Sequence, residues 1–296
     1  MKKIILFLGL ILFNNAVFGQ NILKKGYLIT CGEDKVVIIN PDQSDENHSE
    51  IVWTWSTTEA SDIPAEYQRL LVPLDECKPI FNNKKLLLTS SGGATIVLDI
   101  ASRKVEFYAK TPMAHSADLL PNNRVAVANS THKQGNSIEV YDMNKPEVVL
   151  FTDSLYSGHG AVWNEKQKLL YILGYQLLKV YSLADWESET PKLTLENSWT
   201  IPDKGGHDLS MIDPENFLIS THHNVFIFNT KTQKFTVFQP LKDRQNIKSG
   251  NYNPRTNKLV YTIAEESWWT HNIYLTSPSK RIHIPDIKLY KVRVAK

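Results

Sequence analysis

The segments "AHSADLLPNNRVAVA" (114–128), "GHGAVWNEKQKLLYIL" (158–173) and "GHDLSMIDPENFLIS" (206–220) repeat one pattern. Each begins with a histidine beside a small residue, continues into a polar turn and ends in an apolar run. Nine positions after the histidine, every copy has a basic or amide residue: Arg124, Lys168 and Asn216. The chain therefore contains an internal repeat that carries a histidine.

Outside these segments, the chain also consists of short β-rich runs separated by turn residues. Repeat units begin near Cys77, His115, His159, His207 and Ser249. A period of roughly 40 to 50 residues with four strands per unit is typical of a β-propeller, whose blades bury their faces against one another. An incomplete unit over 26–56 raises the predicted count to six blades. A seventh remains open, because the segment 268–296 is long enough for further outer strands.

The C-terminal segment "IKLYKVRV" (287–294) has the alternation of a strand. We expect it to pair with the N-terminal unit, because such pairing closes the ring and leaves no exposed sheet edge. The sequence thus predicts an all-β protein, a β-propeller of four-stranded antiparallel blades that occupies residues 20–296.

Residues 1–19 have the layout of a cleavable export signal, with Lys2 and Lys3 ahead of an apolar run and small residues near Gly19. The run is shorter than the roughly 20 residues that a spanning helix needs. We therefore expect a periplasmic or secreted protein with no membrane span after cleavage. In that compartment Cys31 and Cys77 are free to pair, although nothing in the sequence shows their separation.

The composition, 42% hydrophobic and 22% charged, is that of an ordinary globular protein. A single domain and a monomer are the expectation. The net charge of +2 provides no broad basic field, so nucleic-acid binding is excluded as a predicted function. An anionic ligand has to be bound by a local patch.

The repeated histidines His115, His159 and His207 are the predicted catalytic residues. Each lies where a blade's innermost strand begins, and in a propeller these positions converge on one channel mouth. The alternative is that a histidine bonded to a buried carbonyl was copied with the repeat. Against it, the corresponding places in other blades are expected to hold Glu76 and Ser249, so the fold does not demand histidine there.

Loops at the same end of the channel supply predicted substrate-binding residues. Between the second and third strands of the blades these are His132, Tyr175, His222 and, in the last blade, Trp268. Loops that lead into innermost strands add Arg69, Arg244 and Lys248, which are able to neutralise a carboxylate. No metal ligand is assigned, and the need for a divalent metal stays open.

In series, "AHSADLLPNNRVAVA", "GHGAVWN", "GGHDLS" and "KSGNYNPRTNKLVYT" resemble a family of small exported β-propeller proteins of Gram-negative glycan-degrading bacteria. More distantly, a mouth with three histidines is similar to that of the propeller oligogalacturonate lyases, which hold a divalent metal with three histidines and a glutamine. The glutamine has no counterpart here, since Ser249 stands at the related place.

The resemblance implies β-elimination on uronic-acid-containing oligosaccharides, with a 4,5-unsaturated uronate as product. Loss of a sugar makes the protein a lyase, and loss of water makes it a dehydratase. Histidine suits both proton transfers, because its pKa lies near neutrality. Two other functions remain open: a non-catalytic propeller that binds a glycan or a protein, and a glycoside hydrolase with Glu76 and either Asp203 or Asp208 as its carboxylate pair.

Overall fold

The computed structural model describes residues 22–296, and the predicted signal at 1–19 lies outside them. Twenty-four strands form six antiparallel sheets of four strands, which confirms the predicted β-propeller with six blades. The last 29 residues do not form a seventh blade, because they contribute two outer strands of the sixth blade and one strand that closes the ring.

Along the chain, the strands fill the blades in order. Blade 1 begins with β1 (Leu28–Gly32), β2 (Lys35–Ile39) and β3 (Ile51–Ser56). Blade 2 contains β4 (Leu74–Ile80), β5 (Lys85–Ser90), β6 (Ala94–Asp99) and β7 (Val105–Lys110). Blade 3 contains β8 (Ala114–Leu120), β9 (Arg124–Asn129), β10 (Ser137–Asp142) and β11 (Val149–Ser154).

Blade 4 contains β12 (Gly160–Asn164), β13 (Leu169–Leu173), β14 (Leu177–Ala184) and β15 (Lys192–Thr200). Blade 5 contains β16 (Asp208–Asp213), β17 (Asn216–Ser220), β18 (Val225–Asn229) and β19 (Lys234–Val237). Blade 6 contains β20 (Ile247–Asn253), β21 (Lys258–Ile263), β22 (Asn272–Thr276) and β23 (Ser279–His283). The innermost strand of blade 1 is β24 (Lys291–Val294). The helical segments are α1 (Glu66–Leu70) and the 3-10 turns Pro41–Gln43, Thr57–Glu59 and Gln239–Leu241.

Ring closure occurs as the sequence predicts. β24 pairs antiparallel with β1, with Thr30 opposite Val292. The hydroxyl of Thr30 also donates to the carbonyl of Lys291 at 2.8 Å. Because the last strand lies innermost, it delivers its side chains directly into the central channel.

Apolar side chains fill the spaces between neighbouring blades, as the alternation within each strand requires. Trp55 packs with Leu86 and Leu88 between blades 1 and 2. Leu28 packs with Ile273 between blades 1 and 6, which completes the circle. Burial of a large apolar side chain contributes about 1.5–3 kcal/mol, so these six interfaces provide most of the stability.

The polar turns of the repeat are tight hairpins. Asn122 and Asn123, between β8 and β9, both have positive φ, 62° and 54°. The loop between the paired residues Leu120 and Arg124 has three residues, and asparagine tolerates positive φ better than most residues. The turn chemistry therefore explains why an Asn pair separates the two apolar runs.

Cys31 and Cys77 are both buried, and both carry free thiols. Burial, followed by the hydrogen bond with Cys77, raises the pKa of the Cys31 thiol well above its usual value. No helix among residues 22–296 is long and apolar enough to cross a membrane.

Candidate functional site

The three repeated histidines meet at one mouth of the channel. His115 is the second residue of β8, and His159 and His207 directly precede β12 and β16. Ring centroids are 4.3 Å apart for His115 and His159 and 5.9 Å apart for His159 and His207. The inner strands of a propeller surround one channel, so equivalent first residues become neighbours.

All six blades place a titratable residue at this position. In β4, β8 and β20 a bulge shifts the strand register there and inserts Asp75, His115 and Lys248. In the other blades the residue before the inner strand donates its backbone N–H to the neighbouring strand at 2.8–2.9 Å. We call this set the mouth ring; in order around the channel it consists of Asp75, His115, His159, His207, Lys248 and Tyr290.

The sequence prediction that Glu76 and Ser249 are equivalent to the histidines was wrong by one residue. A bulge adds one residue to its strand without changing the number of paired partners. Glu76 and Ser249 resume the regular pairing one step further along and correspond to Ser116 of blade 3. The true equivalents of the histidines are therefore Asp75 and Lys248.

His115 and His159 are held by backbone carbonyls. The Nδ1 of His115 lies 2.9 Å from the carbonyl of Met113, and the Nδ1 of His159 lies 3.0 Å from that of Ser157. A carbonyl only accepts, so in each neutral ring Nδ1 carries the hydrogen and Nε2 carries the lone pair. The local backbone thus fixes a tautomer whose free nitrogen is basic.

His159 has a ring nitrogen that is available to accept a proton. Burial, then the charges of His115 and His207, lower its pKa well below the usual value, so the ring is neutral at physiological pH. Among the described residues, Nε2 of His159 has no hydrogen-bond partner. His159 lines a cavity of about 410 Å³ at the mouth.

His115 faces an acidic neighbour instead. Its Nε2 lies 3.8 Å from Oδ1 of Asp75, which also lines the cavity. Burial raises the pKa of Asp75, although the charge of His115 opposes this. Asp75 is therefore able to hold a proton beside His115.

His207 has side-chain partners. Its Nε2 lies 2.9 Å from Nδ1 of His222 and 3.0 Å from Nζ of Lys248. Burial, then the charge of Lys248, lowers the pKa of His207 far below its usual value. The predicted residues His222 and Lys248 thus join the mouth through one ring nitrogen of His207.

Gly205 makes room for this arrangement. Its φ is +71°, and a Cβ there would lie 2.1 Å from a ring carbon of His222. A side chain at this position is excluded both by the left-handed backbone and by the imidazole. This explains the first glycine of "GGHDLS".

Aromatic side chains line the rest of the cavity: Tyr175, Trp268, Trp269 and Tyr290. Trp268 is 54% exposed and stands at the rim, 6.3 Å from the His207 ring. Tyr175 packs edge to face with the exposed Tyr156 at 5.5 Å. Exposed rings at the rim of a cavity are suited to stack on the apolar faces of a sugar.

Four residues predicted to bind substrate do not line this cavity, and of these only Lys248 contacts its wall, through His207 and Trp268. Arg69 is exposed on α1, and His132 is exposed in the loop between β9 and β10. Arg244 lines a separate cavity of about 500 Å³ on blade 6, with the stacked rings of Tyr261 and Tyr274. Their role in binding remains a prediction.

Deeper in the channel is a set of paired charges, the channel floor, which consists of Glu76, Asp208, Lys291 and Arg293. The guanidinium of Arg293 donates to Glu76 at 2.6 and 2.7 Å and to Asp208 at 2.6 and 2.9 Å. Lys291 lies 3.3 Å from Asp208 and donates to the carbonyls of His115 and His159. The floor therefore holds the backbone of two mouth histidines.

Sequence analysis did not identify Asp75, Tyr290, Lys291 or Arg293 as members of the channel. Tyr290 and the two basic residues come from the closing strand and the residue before it, which lack the Gly-His pattern. Counting back one residue from the closing strand is the signal that would have found Tyr290, whereas Asp75 lies in a bulge inside β4 that no sequence signal shows. Within residues 22–296, no group of three or more His, Cys, Asp or Glu side chains is arranged to hold a metal ion.

These features define a six-bladed propeller whose channel opens into a cavity lined by histidines and aromatic rings. The chain belongs to a family of unknown function, DUF6528, whose profile matches residues 15–295. No curated protein matches the sequence. A chain of "Crystal Structure of Mitotic Checkpoint Complex" is similar with a TM-score of 0.58 and 10% identity, covering 95% of this chain and 90% of that chain. That likeness shows the fold alone.

Proposed function

We propose that the mouth catalyses β-elimination on uronic-acid-containing oligosaccharides and yields a 4,5-unsaturated uronate. One observation carries the proposal: a neutral histidine with a free nitrogen, His159, lies 4.3 Å, ring to ring, from His115, which is paired with Asp75. β-Elimination breaks bonds at adjacent carbons, so it needs a base and an acid this close together.

The roles follow from the environments. Nε2 of His159 takes the proton at C5, and the C5–H electron pair forms the C4=C5 double bond. The C4–O bond breaks with its electron pair on oxygen, and the Asp75 and His115 pair gives that oxygen a proton. If the oxygen belongs to a sugar, the protein is a lyase; if it leaves as water, the protein is a dehydratase.

Two further needs of the reaction are supported by cavity residues. The C5 proton becomes acidic only when the neighbouring carboxylate is neutralised, and Lys248 is the buried cation that contacts the cavity wall. Tyr175 and Trp268 offer aromatic faces on which the sugar stacks.

The positions of the carboxylates favour elimination over glycoside hydrolysis. A hydrolase needs two carboxyl groups that flank the bond. Glu76 and Asp208 are both bound by Arg293, and Asp203 is bonded to Thr221 and His223. Of the described Asp and Glu residues, Asp75 alone lines the cavity.

The test uses a panel of uronate oligosaccharides incubated with the protein, with and without a chelator. We expect absorbance at the far-ultraviolet edge and product masses that correspond to cleavage without water, or to loss of water. His159→Ala should abolish the signal, and His48→Ala, a change at an exposed histidine remote from the mouth, should not. Hydrolytic masses, or binding without any product, would contradict the proposal and favour a hydrolase or a binding protein.

The proposed setting is the periplasm or the medium, with the protein as a monomer after cleavage. Sequencing the N-terminus of protein recovered from the periplasm of a Gram-negative host should find Gln20 or a close neighbour. Retention of Met1 would refute cleavage.

A further inference from the structure

Lys248 is a buried cation that lacks an acidic partner. Its side chain is 1% exposed, and no Asp or Glu among residues 22–296 lies within ion-pair distance of its Nζ. Lys291, equally buried in the same channel, has both Glu76 and Asp208 beside it. A buried charge is costly unless an opposite charge pairs with it. A bound anion would therefore stabilise the charged form of Lys248, because the chain itself does not supply an acidic partner.

The contacts of Lys248 show where that anion has access. Nζ lies 3.0 Å from Nε2 and 3.5 Å from Nδ1 of His207, and 4.5 Å from the centre of the Trp268 ring. Both of these residues line the mouth cavity. The amino group therefore lies directly behind the cavity wall, and an anion held against His207 comes within the range of a strong charge interaction.

The charged groups around this pair are basic. His207 is flanked by His159 and His222, the charge of His115 also acts on it, and the charge of Lys291 acts on both His207 and Lys248. Asp203 acts on His222, but its own oxygens are bonded to Thr221 and His223. Burial, followed by the charge of Lys291, lowers the pKa of Lys248 to about 7. Near neutral pH the empty site thus carries its proton only part of the time.

We infer that Lys248 and His207 form a proton-coupled carboxylate receptor, in which an anion bound in the cavity against His207 and Trp268 draws a proton from solvent onto Lys248. The ligand class is a sugar acid, whose ring stacks on Trp268 while its carboxylate meets the His207 and Lys248 pair. The choice of a uronate rests on the proposed function, but the binding of a carboxylate does not depend on any catalytic step.

The sign of the pH dependence follows from linkage. An anion beside Lys248 raises its pKa in the bound state, so the extra affinity is fully present below the pKa of the free protein. As the pH rises above about 7, affinity should fall by about tenfold per pH unit until the pKa of the bound state is reached. A neutral sugar should bind with no such dependence.

The experiment is an NMR titration of the full chain with D-glucuronate, with methyl D-glucoside as the neutral probe. Side-chain nitrogen signals of Lys248 and His207 report both occupancy and protonation, and they register binding even at millimolar affinity. We expect D-glucuronate to raise the pKa of Lys248 by at least about one unit, and the glucoside to leave it unchanged.

Variants of Lys248 distinguish the effect of its positive charge from the effect of its uptake of a proton. Lys248→Met should lose at least about tenfold in D-glucuronate affinity together with the pH dependence. Lys248→Arg should keep affinity but lose the pH dependence, because a guanidinium stays charged. Lys234→Met, which removes the same charge from the exposed outer strand of blade 5, should change neither.

The inference is overturned if D-glucuronate binds no better than the glucoside, or if Lys248→Met leaves its affinity unchanged. Its failure is distinct from failure of the proposed function. If the carboxylate binds through Lys248 but no unsaturated product forms, only the proposed catalytic activity is refuted. If an unsaturated product forms and binding does not depend on Lys248, the receptor and the catalytic role of Lys248 are refuted, but the elimination reaction is not.

Discussion

The mouth ring and the channel floor are neighbouring layers of one channel, and both bury polar groups. At the floor, Arg293 binds two carboxylates and Lys291 lies beside them, so the charges are matched within the chain. At the mouth, Lys248 has no acid beside it, and Nε2 of His159 has no partner among the described residues. The layers therefore differ in whether the protein satisfies its own buried groups.

This difference separates a structural role from a functional one. Matched buried charges hold the inner strands in register, and Arg293 joins strands from blades 1, 2 and 5. Unmatched groups cost stability, and a ligand that enters the cavity can recover that cost. Mutations in the channel floor should therefore lower stability, whereas mutations in the mouth ring should lower ligand binding and turnover.

The largest effect is expected at the floor. Arg293→Met leaves Glu76 and Asp208 buried without their main partner, which should lower the free energy of unfolding by about 3–5 kcal/mol. Urea denaturation measures this loss. As a control, Arg103→Met removes an exposed guanidinium that binds Glu59 and the carbonyl of Thr54, and should cost at most about 1 kcal/mol. Equal effects of the two substitutions would show that the floor is not a structural centre.

Acid should distinguish the layers by pH range. His159 and His207 have lowered pKa values in the folded protein, so the stability they contribute is present above their unfolded pKa of about 6.5 and is lost as the pH falls below it. The floor carboxylates Glu76 and Asp208 also have lowered pKa values, but their contribution is lost only below about pH 4.5.

As the pH falls from about 6.5 to 4.5, the unfolding free energy of the wild type should decrease. In His207→Gln this decrease should be smaller, by up to about 1.4 kcal/mol per pH unit. Denaturation curves at several pH values measure the slope. His48→Gln, at an exposed site, serves as the control. An unchanged slope in His207→Gln would mean that His207 is not held neutral in the fold.

The smallest effect on stability is expected at the rim. Trp268→Ala removes an exposed ring, so the free energy of unfolding should change by no more than about 0.5 kcal/mol. Affinity for a uronate oligosaccharide should fall by about 3- to 10-fold through lost stacking. Calorimetry on the wild type and on Trp268→Ala measures both the unfolding free energy and the affinity. A loss of stability without a loss of affinity would make Trp268 a packing residue between blades.

The sequence predicts the architecture well, because blade period, strand alternation and the closing segment are local or periodic signals. It also predicts that His115, His159 and His207 converge, since repeat symmetry maps equivalent residues onto one ring. It misses Asp75 and Lys248 as their equivalents, because a one-residue bulge is invisible to pattern counting. The bond between Lys248 and His207 joins residues that are 41 positions apart, and no local signal reports it.

The most direct test of this account measures turnover and unfolding free energy in parallel for His115→Ala, His159→Ala and His207→Ala. Turnover on a uronate oligosaccharide should fall by at least about 10²-fold in each, because His115 and His159 take part in proton transfer and His207 holds the substrate carboxylate beside Lys248. Their unfolding free energies should change less than that of Arg293→Met. If all three variants lose stability as Arg293→Met does and retain near-normal turnover, the mouth is structural and the proposed site is wrong.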